Sequence, residues 1–99
     1  MKHLPLLSSG EILLEDFLKP MEISSYRLAK DIGVPLSRIS SIINGKRCIT
    51  ADTGLRLDRY FGLTEGYWLR IQIACDIRAA KRRIARELDH ITPREAIAA

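Results

Sequence analysis

The chain has little of what metal, redox, membrane or secreted proteins are built on. Its 99 residues hold two cysteines, Cys48 and Cys75, with no CxxC and no Cys/His ligand spacing. That excludes a zinc ribbon or redox motif and predicts reduced thiols in a cytoplasmic protein. His3 and His90 are far apart in sequence and not bracketed by ligand residues, so no metal site is expected. Glu15, Asp16, Asp52 and Asp58 form no paired carboxylate beside a base or nucleophile. With no cofactor loop and no triad order either, the expectation is a protein that is not an enzyme and takes no cofactor. No apolar run approaches the ~20 residues of a membrane span, and the start, MKHLPLLSSGE, lacks the apolar core of a secretory signal. Internal repeats, low-complexity linkers and convincing strands are missing too.

What is present fits one small helical domain. A hydrophobic fraction of 46% suits a globular protein rather than a disordered one. The length allows a single modest core. Residues 1–99 are read as one domain, its core at about 9–72 with a helical extension over 73–99. The net charge is +4 and the pI near 9.4, which favours anionic partners such as nucleic acid.

The stretch from Ser24 to Arg47, SSYRLAKDIGVPLSRISSIINGKR, has the layout of a helix-turn-helix. Ser24 and Ser25 can cap a first helix that carries Leu28, Ala29 and Ile32 inward. Ala29 is small where the two helices cross closely. Gly33 can take the left-handed conformation that ends a helix without a Cβ penalty. Pro35, with its φ preset and no N–H to waste, suits the first position of the next helix. Ile39, Ile42 and Ile43 face inward there, and Asn44-Gly45 ends it.

Further helices flank this hairpin. One begins near Ser9-Gly10, capped by Ser8 or Ser9, with Ile12, Leu13, Phe17 and Leu18 at helical spacing. It is expected to stop before Pro20. Thr50 caps another, ADTGLRLDRYF, with Leu55, Leu57, Tyr60 and Phe61 inward and Gly62 as its stop. Gly54 inside it marks a tight crossing. Thr64 is expected to cap a long helix from Glu65, whose Tyr67, Trp68, Leu69 and Ile71 complete the core. Ile73, Ile77, Ala80, Ile84, Leu88 and Ile91 continue an apolar stripe, opposite Arg78, Lys81, Arg82, Arg83, Arg86 and Glu87. A helix apolar on one side and charged on the other needs something to pack against. Thr92-Pro93-Arg94-Glu95 reads as a capping box opening a last turn over 93–98.

With these placed, the chain resembles the HigA family of bacterial antitoxins, a branch of the phage-repressor-like helix-turn-helix class. The matching residues are SGEILLEDFLKPMEIS at 9–24, SYRLAKDIGVPLSRISSIINGKRCITADTGLRLDRYFG at 25–62 and the aromatic pair in GYWLRIQ at 66–72. The resemblance implies an all-α, five- to six-helix phage-repressor-like domain with an extended C-terminal helix. It also implies a homodimer that represses its own operon on double-stranded DNA and neutralises a small ribonuclease toxin of the HigB type. Here the recognition helix opens Pro35-Leu36-Ser37, without the glutamine or asparagine often used for bidentate base contacts. Readout then leans on Arg38, on thymine-methyl contact by Leu36 and on DNA shape. The tail after Asp76 is longer and more basic than that family's core requires.

The candidate site follows from the docking geometry of the motif. Pro35, Leu36, Ser37, Arg38 and Ser41 are expected near base edges. Ser24, Ser25, Arg27, Asn44, Lys46 and Arg47 are expected at phosphates. Ile73, Ile77, Ile84 and Leu88 are read as dimer contact first and toxin contact second. Two other readings stay open: a free-standing repressor without a toxin, and a protein-interaction module that has lost its operator.

Overall fold

The computed structural model describes residues 7–95, all of whose regular structure is helical. Helix α1 spans 9–21, α-helical over Ser9–Ile12 and Lys19–Met21 with a π-helical stretch, Leu13–Leu18, between them. The helices that follow are α2 (Ser25–Ile32), α3 (Leu36–Ile43), α4 (Ala51–Phe61), α5 (Tyr67–Arg83) and α6 (Ala85–Asp89). No described helix is long and apolar enough to cross a membrane.

Local chemistry sets most of the boundaries. Ser8 starts α1 with a capping box: its hydroxyl accepts from the Glu11 amide, and the Glu11 carboxylate accepts from the Ser8 amide. Ser24 and Thr50 cap α2 and α4, accepting from the amides of Arg27 and Thr53. Gly33 and Gly62 close the same two helices at positive φ. The next residue's amide reaches back in each case, Val34 to the Ala29 carbonyl and Leu63 to that of Asp58.

Three boundaries depart from expectation. First, α1 runs through Pro20 to Met21 instead of stopping before it. In a regular helix the Pro20 ring would strike the carbonyl four residues back. Here the π-helical turn widens the backbone just ahead of it, and the Lys19 amide reaches Leu14 rather than Glu15. Second, Pro35 is the N-cap of α3, its ψ of 145° still extended, and the helix begins at Leu36. Third, Thr64 does not cap α5, which starts at Tyr67. The Asp58 carboxylate of α4 takes over, accepting from the amides of Gly66 and Trp68 at 2.8 and 3.0 Å.

The core lies where α1 to α5 meet. Leu13, Leu18, Leu28, Ile39, Ile42, Ile49, Leu57 and Trp68 are all buried. Phe17 packs against Phe61 and Trp68 with ring centroids 4.9 and 5.0 Å apart, which ties α1 to α4 and α5. Leu55, expected inward, is 47% exposed. The face of α4 turned to Trp68 and Ile49 is Thr53, Gly54, Leu57 and Asp58, and Leu55 falls on the far side of that helix.

The extended helix breaks near its end. α5 stops at Arg83, Ile84 leaves helical geometry at φ −113° and ψ 26°, and α6 is a separate five-residue helix. In a continuous helix Arg82 and Arg86 would repel one turn apart while Arg83 and Glu87 would attract, so side-chain charges alone do little to hold or break it. No residue from Lys81 to His90 is buried, so this segment lacks the packing that steadies the rest of α5. Residues 91–94 are not helical, so the expected last turn over 93–98 does not begin at Pro93. Its remaining residues, like His3, lie outside the described part. With the tail projecting, the molecule measures 52 × 29 × 24 Å.

Candidate nucleic-acid interface

The second helix of the hairpin, α3, is gripped from below and left bare above. Ile39 and Ile42 anchor it in the core. Pro35, Leu36 and Ser37 are exposed, Arg38 and Ser41 half-buried, and Asn44, Lys46 and Arg47 exposed. Leu36 is 45% exposed, an apolar side chain offered to solvent at the leading end of the helix. No side chain caps that end, so the first amides and the positive end of the helix dipole also face outward.

Both ends of α3 are fixed in direction. At its start, the Arg56 guanidinium reaches from α4 and donates to the carbonyls of Ile32 at 2.7 Å and Gly33 at 3.4 Å. Asp52 holds Arg56 in turn, at 2.7 Å. This clamp satisfies carbonyls that the end of α2 would otherwise leave open. At its finish, the Gly45 amide donates to Ile42 and that of Lys46 to Ser41, with Gly45 at φ 77°. That double closure sets where Lys46 and Arg47 emerge. Gly10 of α1 packs against the same end of α3. A Cβ there would overlap the Ile42 carbonyl oxygen and come within 2.9 Å of the Ile43 Cα. The tightest helix crossing is therefore at Gly10, whereas a Cβ at Gly54 would make ordinary contacts, the nearest at 3.6 Å.

The outlying candidates behave differently from one another. The Ser24 hydroxyl is already used as the α2 cap, and Ser25 is half-buried. Arg27 is exposed but pairs with Asp31 at 3.2 Å, and the Tyr60 hydroxyl donates to the same carboxylate oxygen at 2.8 Å. That hydrogen bond, then burial, raises the Tyr60 phenol above its ordinary 10.0. Exposed ion pairs contribute at most about 1 kcal/mol, so Arg27 can exchange Asp31 for a phosphate. Lys46 and Arg47 have no carboxylate within 4.0 Å among the described residues. Of the stripe, Ile73, Ile77 and Leu88 are 49%, 55% and 41% exposed and Ile84 is half-buried.

Sequence reasoning passed over three residues that shape this site. Tyr26, 63% exposed at the start of α2, stands beside Ser24, Ser25 and Arg27, and its only signal was an aromatic out of register with Leu28, Ala29 and Ile32. Arg56 showed only an i,i+4 pairing with Asp52, because the carbonyls it holds lie 23 and 24 residues away. The buried Gln72 was silent. Its carbonyl oxygen accepts from the Ser9 hydroxyl at 2.5 Å and the Ile49 amide at 2.8 Å, and its amide group donates to Asp76. It joins α1, the loop before α4 and α5.

The overall fold agrees with that of solved relatives. The helix-turn-helix family matches residues 14–68. A solved addiction module antidote protein of the HigA family from Coxiella burnetii is 38% identical. It superposes with a TM-score of 0.84 over 92% of this chain and 100% of its own. The chain belongs to the HigA family of helix-turn-helix proteins. Another similar structure is the Pseudomonas aeruginosa antitoxin HigA with the higBA promoter, 29% identical at a TM-score of 0.82 over 89% of this chain and 97% of that one. Virulence-associated protein I of Dichelobacter nodosus is 48% identical over 80 residues, 81% of this chain and 74% of its own.

Proposed function

We propose that this protein is a DNA-binding antitoxin that represses its own promoter as a homodimer and neutralises a small ribonuclease toxin of the HigB type in the cytoplasm. The observation that carries the DNA half is α3: preceded by a turn whose carbonyls Arg56 holds, closed at its end by the Gly45 and Lys46 amides, exposed along Pro35, Leu36 and Ser37, and followed by Lys46 and Arg47, which have no carboxylate within 4.0 Å among the described residues. Leu36, Ser37, Arg38 and Ser41 read bases. Lys46 and Arg47, with Arg27 and the amides around Ser24 and Ser25, hold phosphates. Two such helices, one per subunit, enter successive major grooves about 34 Å apart on a pseudo-palindromic operator. The toxin half rests on kinship with HigA proteins.

The deciding measurement is binding to the DNA upstream of its own gene against scrambled duplex, over a salt series. Native DNA bound tighter by about 10³ or more at matched salt is the expected result. Lys46→Ala and Arg47→Ala should each flatten the salt slope by about one unit per subunit. Equal, weak binding to both duplexes would remove the operator role. A free-standing repressor shares the same α3, and co-expression separates the two readings: only an antitoxin restores growth to cells making the small toxin encoded beside it.

A further inference from the structure

Exposed cations near the end of α3 are not confined to Lys46 and Arg47. The loop after α3 faces α5 across a groove of about 400 Å³, lined by Lys46 and Arg47 on one wall and Gln72, Asp76 and Ala79 on the other. At 100° per residue, the side of α5 that carries Gln72, Cys75, Asp76 and Ala79 continues, one turn beyond Ala79, as Arg82 and Arg83. Both are exposed, and neither has a carboxylate within 4.0 Å among the described residues. Lys81 points to the other side, and the apolar stripe of Ile73, Ile77 and Ile84 lies on a third. Helix-dipole compensation alone would be served by a cation anywhere around the last turn. It does not account for two of them in line with the groove.

We infer that Arg82 and Arg83 form a second phosphate-contacting element, which carries the backbone contact of Lys46 and Arg47 along the duplex. This rests on the DNA-binding reading above and adds to it a role for the basic extension. Because guanidinium groups on an exposed helix end meet phosphates and no base edges, the contact strengthens binding to any duplex equally.

The test uses the full chain and measures the dependence of log affinity on log salt for the native upstream duplex and for scrambled duplex. The double substitution Arg82→Ala, Arg83→Ala should lower the slope by about 0.9 for each phosphate lost, and by the same amount on both duplexes. The ratio of native to scrambled affinity should not change. Arg82→Lys with Arg83→Lys should restore the slope, which a merely misfolded tail would not. Lys81→Ala should leave it in place. An unchanged slope in the double variant overturns the inference, as does an equal loss for Lys81→Ala, which would reduce the effect to net charge. If the wild-type protein shows no preference for native DNA yet the double variant still loses slope, the operator reading falls and the phosphate contact stands.

Discussion

Two glycines show how much a single hydrogen matters here. Gly10 and Gly54 both sit inside helices, where glycine ordinarily costs about 1 kcal/mol relative to alanine. At Gly10 the missing Cβ is what lets α1 lie against the Ile42 carbonyl. At Gly54 the added methyl would meet Ile49, Leu69 and Trp68 at ordinary distances of 3.6 to 3.7 Å. Gly10→Ala should therefore destabilise the fold by about 2–3 kcal/mol and disturb α3, lowering operator affinity as well. Gly54→Ala should be neutral or stabilise by up to about 1 kcal/mol. Urea unfolding of the two variants against wild type checks both. A tolerated Gly10→Ala would mean that the crossing has slack the geometry does not suggest. The glycine pattern in the sequence pointed to Gly54 as the tight crossing, because spacing along one helix carries no information about which partner comes closest.

Among the helices, α5 depends on a cap that belongs to another helix. Asp58 is buried, 3% exposed, and spends both carboxylate oxygens on the amides of Gly66 and Trp68. Hydrogen bonds to a charged acceptor contribute about 1.5–3 kcal/mol, and here they also place Trp68 in the core. Asp58→Ala should cost about 2–4 kcal/mol, seen as a lowered urea midpoint with loss of native Trp68 fluorescence. Asp58→Asn, which keeps one acceptor oxygen, should lose less. Equal, negligible losses for both would show that Gly66 and Trp68 find other acceptors. Local caps such as Ser8, Ser24 and Thr50 were legible because donor and acceptor are three residues apart. Asp58 was not, since its partners lie 8 and 10 residues on, around a turn whose path sequence alone does not give.

For the molecule as a whole, the apolar side of α5 is the outstanding exposure. Ile73 and Ile77 lie about half open on a helix whose projection helps stretch the molecule to 52 Å. A homodimer would cover them and bring two α3 helices to one operator. Ile77→Glu should then shift the monomer–dimer equilibrium toward monomer in sedimentation experiments and cut operator affinity, while single-subunit stability stays within about 0.5 kcal/mol. A variant that remains dimeric would move the interface elsewhere.

The helical class and the helix-turn-helix with its Ser24 cap and Gly33 stop were legible in 99 letters, because caps and stops rest on interactions within one turn of the chain. The rest came from contacts between distant segments. Only packing could show that α1 passes through Pro20 by widening its turn, that Leu55 faces out, that Arg56 ties the hairpin turn to α4, and that Gln72 joins α1, the loop before α4 and α5. The extension breaks at Ile84 for the complementary reason. A helix with no core beneath it has little packing to hold it straight, whatever its apolar period suggests.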